Sequence, residues 1–127
     1  YSGAIVTAMN AMVPDLAIGL EGVSLEALCE TYIDRGEPVM LWATIDMAET
    51  REGHSWILPD GTWFTYIRPE HALILVGYDA DSYYFVDSLA DDDVTAYDRD
   101  AVETAYAALY EQAIVINTVN IEVNAAL

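Results

Sequence analysis

Four short apolar runs limit what this chain can become: PVMLWATI at 38–45, HALILVGY at 71–78, YYFVD at 83–87 and QAIVINT at 112–118. Each is too short to cross a bilayer and too continuous to be one stripe of a surface helix, so they read as buried strands. Residues 79–82 turn the chain between two of them. Residues 55–67 (SWILPDGTWFTYI) place Pro59-Asp60-Gly61 between aromatic-rich halves, which is a hairpin signal. Such connections predict a largely antiparallel sheet.

Helical signals surround these strands. Residues 4–13 form a short apolar helix that stops before Pro14. Ser24 caps a second helix with Leu25, Leu28, Tyr32 and Ile33 on one face, and Gly36 ends it. Residues 98–110 read as a third, with Asp100 and Glu103 as a capping box and Val102, Ala105, Tyr106 and Leu109 as its stripe. The order is helices, then strands, then one helix before the last strand. The predicted class is α+β, helices packed on a largely antiparallel sheet, in a single domain over 1–127. The tail 119–127 is either an edge strand or loose. Gly19 and Gly22 lack the strand-turn-helix setting of a phosphate loop.

Charge narrows the partners. Twenty-two acidic residues stand against four arginines and no lysine, a formal charge of −18. Such a surface repels phosphate backbones and anionic lipid, which argues against nucleic-acid and membrane-surface binding. The single cysteine, Cys29, rules out an internal disulfide and a multi-cysteine zinc site. No HExxH spacing is present. The Asp91-Asp92-Asp93 run, with Asp79 and Asp81, lacks the EF-hand pattern and reads as a solvated acidic turn. No metal or other cofactor is expected. The compartment stays open, with the cell envelope or exterior preferred over the cytoplasm. The first residue is Tyr1, not Met, which we read as the mark of a processed or truncated product.

Chemistry concentrates at two polar residues on otherwise apolar strands. His71 opens one strand and Asp87 ends the next. A three-residue loop, Asp79-Ala80-Asp81, puts both on one sheet face, with Asp87 opposite Leu73 and diagonal to His71; a two-residue turn puts them on opposite faces. A histidine held by a neighbouring carboxylate is the base-plus-orienter half of a nucleophilic site, or else a structural pair at a sheet edge. His54 is a rim residue, a second base or an exposed loop residue. Cys29 lies inside its helix beside Glu30, a setting for a packed thiol and not for a thiolate. Ser55, Ser82 and Ser88 lack a nucleophile-elbow context. Trp42, Trp56, Trp63, Phe64 and Tyr66 either line a groove or fill the core.

Three segments in order, GEPVMLWATI, EHALILVGYDADSYYFVDSL and YDRDAVETAYAALYEQAIVI, resemble the later two-thirds of double-glycine-type cysteine peptidases, and most closely bacterial C39-like peptidase domains. The resemblance covers about residues 1–116. It implies a papain-like fold and a Cys-His-Asp mechanism acting on peptide bonds. His71 matches the catalytic histidine and Asp87 its orienting residue. The nucleophilic cysteine and the oxyanion-hole glutamine would precede Tyr1, and Cys29 matches neither. Ser88 stands where the family commonly has proline. The implied partners are a peptide or protein substrate and the missing N-terminal segment. A fragment lacking its first helix would also expose apolar surface and self-associate. A rival reading is a non-catalytic domain that binds peptide or cell-wall polymer.

Overall fold

The computed structural model describes residues 1–119, and the four apolar runs become the middle of one sheet. In chain order the elements are α1 (Ser2–Met12), β1 (Ala17–Glu21), α2 (Leu25–Thr31), β2 (Val39–Thr44), β3 (Arg51–Ile57), β4 (Trp63–Arg68), β5 (Glu70–Tyr78), β6 (Ser82–Val86), β7 (Thr95–Asp98), α3 (Arg99–Ala108) and β8 (Gln112–Ile116). The six-stranded sheet runs β1-β8-β2-β5-β6-β7 with every pair antiparallel, and β3 and β4 form a separate hairpin. The fold is α+β. The last eight residues of the tail lie outside the described residues.

Local chemistry sets the helix ends. Ser24 Oγ accepts the Ala27 N–H at 3.2 Å and starts α2. Gly36, at φ 76°, takes the left-handed conformation that closes a short 3-10 turn over Ile33–Arg35. The cap of α3 is Asp98, whose carboxylate accepts the Ala101 N–H at 3.0 Å. That corrects the Asp100–Glu103 capping box: Glu103 instead accepts a hydrogen bond from the Tyr83 hydroxyl at 2.9 Å. Two edge strands escape the sequence pattern. β1 comes between α1 and α2, so the elements do not begin with two consecutive helices. Its Gly19 leaves room for α1, since a Cβ there would sit 3.2 Å from Val6 Cγ2. β7 is only four residues long and follows the acidic run.

The odd-numbered residues of the central strands share one face. Val39, Leu41 and Ala43 oppose Leu75, Leu73 and His71, and Ala113 lies against Leu41. Leu28, Cys29, Val102, Ala105 and Tyr106 from α2 and α3 cover that face and complete the main core. On the opposite face, Val6 and Met9 of α1 pack near Ala17, Trp42 and Ile114.

The β5–β6 register depends on one extra residue. Asp79 N–H bonds to Ser82 O at 2.9 Å, so the connection is a two-residue turn, Ala80-Asp81, and not the expected three-residue loop. Tyr78 pairs with Tyr83, a register that would put His71 and Asp87 on opposite faces. Between Leu75 and Gly77 the ladder shifts, because Val76 is bulged out. Beyond it Leu75 pairs with Phe85 and Ile74 with Val86, so Asp87 falls opposite Leu73, on the face of His71.

The bulge can be tested by deletion. Removing Val76 leaves Tyr78 opposite Tyr83, Gly77 opposite Tyr84 and Leu75 opposite Phe85 as consecutive rungs, so each core-facing residue keeps its face. We expect that chain to fold with a loss of less than about 1 kcal/mol in urea unfolding. A loss above about 3 kcal/mol, the scale of turning two aromatic side chains out of the core, contradicts the assignment of Val76 as the unpaired residue.

Candidate active site

His71 and Asp87 finish two core-facing rows, Leu75-Leu73-His71 on β5 and Tyr83-Phe85-Asp87 on β6, at the end of the sheet where the β3–β4 hairpin departs. Alternation thus carries a hydrophobic face up to its margin and ends it with two polar groups. His71 Nε2 lies 2.7 Å from Asp87 Oδ1. The His71 side chain is 11% exposed and that of Asp87 2%, so the ring is the member of the pair that an outside group can reach.

Asp87 is satisfied on both oxygens. Oδ1 also accepts the Leu89 N–H at 2.9 Å, and Oδ2 accepts the Tyr97 hydroxyl at 2.7 Å. Burial by itself pushes the carboxyl pKa up. The hydrogen bonds from His71, Leu89 and Tyr97 and the attraction of His71 outweigh it and hold the pKa below the ordinary carboxylate range. An ionised carboxylate has no hydrogen to give, so the hydrogen between the two groups belongs to Nε2, and in the neutral form of the ring Nδ1 is the nitrogen with the free lone pair. The turn after Asp87 closes without proline: Ala90 N–H reaches Asp87 O at 3.1 Å with Ser88 inside it.

Tyr97 escapes the sequence reading because it lies ten residues from Asp87 on an unrecognised strand. Beside it, Asp46 and Met47 both hold φ 54° in the loop after β2, a left-handed backbone of the kind that gathers at functional sites. The charge of Asp46 adds to burial and to Asp87 in raising the Tyr97 hydroxyl pKa.

The other sequence candidates separate from the pair. Cys29 is 1% exposed inside the main core, and burial pushes its thiol up to about 11 even though Arg99 pulls the other way. It is an inert packed group. His54 is exposed on strand β3, not on a loop, far along the hairpin from His71 in sequence. The aromatic group divides: Trp42 is buried in the sheet, whereas Trp56 and Trp63 are 46% and 71% exposed on the hairpin. Asp79 is used locally, accepting from the N–H groups of Asp81 and Ser82 and from the Tyr84 hydroxyl. A groove of about 480 Å³ runs between Met47–Thr50 and the Asp100, Ala101, Thr104 and Ala108 side of α3; neither His71 nor Asp87 lines it.

Similarity to known proteins bears on this geometry. A sequence model of the Peptidase_C39 like family matches residues 15–114. The crystal structure of a candidate C39-like peptidase from Bacillus anthracis is similar over 91% of the chain, with a TM-score of 0.79 and 28% sequence identity. The chain spans 58% of that protein's length. None of the curated proteins matches the sequence.

Two predictions follow the environments of Asp87 and Cys29. A carboxyl whose folded pKa is depressed stabilises the fold above its unfolded pKa of about 3.9 and loses that contribution as pH falls through the folded value. Asp87→Asn should therefore cost about 1–3 kcal/mol near neutral pH, with the gap to wild type narrowing in unfolding curves below pH 4. A gap constant down to pH 2 contradicts the assignment. Cys29→Ser buries a hydroxyl in place of a thiol and should lower stability by about 1 kcal/mol. Thiol titration of the native wild-type chain should find Cys29 unreactive until denaturant is added.

Proposed function

Since the chain belongs to the Peptidase_C39 like family, we propose that it supplies two members of a cysteine peptidase site, with His71 as the acid–base and Asp87 as its orienting partner. The observation that carries this reading is the 2.7 Å contact between the reachable imidazole and an almost fully buried carboxylate. It leaves Nδ1 as the ring atom facing the reaction. The nucleophile comes from outside these 127 residues, because Cys29, the sole thiol, is locked in the core with a raised pKa. The 127 residues alone are inert as a catalyst.

In the proposed reaction the external thiol gives its proton to Nδ1. The thiolate attacks the peptide carbonyl carbon, forming the C–S bond as the carbonyl π electrons move to oxygen. When the adduct collapses the C–N bond breaks, and Nδ1 returns its proton to the leaving amine. Water then attacks the thioester while Nδ1 takes its proton, the C–S bond breaks, and the acid product leaves. Throughout, Asp87 holds the Nε2–H and keeps the ring oriented, as the orienting carboxylate does in Ser-His-Asp sites. The substrate is a peptide or protein, and the second partner is the segment that bears the thiol.

The test uses the natural gene product that contains these residues. It should hydrolyse peptide amides, and iodoacetamide should abolish the activity while labelling a cysteine other than Cys29. His71→Ala should lower kcat by about 10³-fold or more, in a chain that still folds by circular dichroism but melts lower because the buried Asp87 has lost a donor. Full turnover in that variant, or inactivation that maps to Cys29, overturns the assignment. A gene product with neither turnover nor a reactive thiol replaces it with the peptide-binding reading.

A further inference from the structure

Asp87 Oδ2 faces away from His71, and one side chain holds it. Tyr97 stands opposite Tyr83 on the edge strand β7. Its ring sits edge-on against Phe85, with centroids 6.0 Å apart at 61°, and its hydroxyl ends 2.7 Å from Oδ2. The backbone N–H of Leu89 shares Oδ1 with His71 and cannot by itself fix the rotation of the carboxylate plane, because it bonds the same oxygen. A second donor on the other oxygen does fix it. The edge-on contact with the buried Phe85 ring in turn fixes the direction of that donor.

We propose that Tyr97 is a positioning residue for His71: by holding Oδ2 it aims Oδ1 at Nε2–H and so locks the imidazole in the tautomer that presents a bare Nδ1 to the reaction. Its value to function rests on the peptidase reading above, but the arrangement itself does not. The titratable groups around the hydroxyl are Asp87 after β6, His71 on β5 beyond it and Asp46 in the loop after β2. Two of them are carboxylates, which keeps the phenol protonated and acting as a donor.

The experiment reads the ring and not turnover. Long-range ¹H–¹⁵N spectra of the 127-residue chain at a pH where His71 is neutral should show widely separated nitrogen resonances for His71, with Nε2 protonated. Exposed His54 serves as the internal reference for a mixed tautomer. Tyr97→Phe keeps the Phe85 contact and removes only the hydroxyl. In it the two His71 resonances should draw together towards the His54 pattern, while circular dichroism stays native. Unchanged His71 resonances in a folded Tyr97→Phe chain overturn the proposal. A wild-type His71 protonated at Nδ1 overturns it without any variant. In the natural gene product, Tyr97→Phe should lower kcat about tenfold with KM unchanged, the scale of one hydrogen bond to a charged group. If that protein has no peptidase activity but the tautomer shift is present, the functional reading fails and the positioning role stands.

Discussion

The hydrogen bond between His71 and Asp87 exists because Val76, the one residue that β5 carries beyond what β6 can pair, is bulged out of the ladder. The two-residue turn Ala80-Asp81, with Tyr78 opposite Tyr83, commits the two strands to an odd register. Bulging Val76 returns the even register for the rest of the ladder. Leu73, Leu75 and Phe85 then share the face covered by α2 and α3, and the two polar residues at its margin meet. Core packing and site geometry are therefore one constraint. Neither can be kept while the other is changed by a single residue of slippage.

Burying a charged carboxylate is costly unless its lone pairs are used. Asp87 resolves this with three donors of different kinds: a ring N–H, a backbone N–H and a phenol. The arrangement does more than offset desolvation. Because each donor comes from a different element (β5, the 87–90 turn and β7), the carboxylate ties together the strands that meet at this end of the sheet. The same donors that keep it ionised dictate which imidazole nitrogen bears hydrogen. In this way a buried carboxylate orients the less buried ring beside it.

Much of this was visible in the linear chain, and what was not has identifiable causes. The four apolar runs, the Ser24 cap, the Pro59-Asp60-Gly61 hairpin and the facing of His71 and Asp87 are short-range patterns, and each appears in the structure. The common face was expected from an odd loop and arises from an even turn plus a bulge; no local signal marks Val76, which lies in a run of apolar residues. β1 and β7 are edge strands of five and four residues, too short for alternation to show, and one carries a glycine that serves the approach of α1. Asp98 took the capping role expected of Asp100 because β7 runs directly into α3. Tyr97 was hidden because its importance lies in a contact along the sheet, over Phe85, that no spacing rule predicts. The aromatic residues misled for the opposite reason: Trp42 and Trp63 look alike in sequence, and only the departure of the hairpin from the main sheet separates them.

That departure has its own consequence. Thr44 and Glu70 are paired across β2 and β5, and Ile45 N–H closes on Pro69 O at 3.0 Å, so residues 45–69 leave and rejoin the sheet at adjacent rungs. The base of the excursion is tied to the rest of the molecule, with Met47 and Ile67 packed against the two cores and Phe64 against Tyr1. Its outer end, with Trp56 and Trp63 exposed, can vary in length and decoration without moving a rung of the ladder, while its root stays fixed beside the imidazole. An architecture of this kind separates inheritance of the chemistry from variation in whatever the hairpin touches, much as a tool holder accepts different bits without being rebuilt.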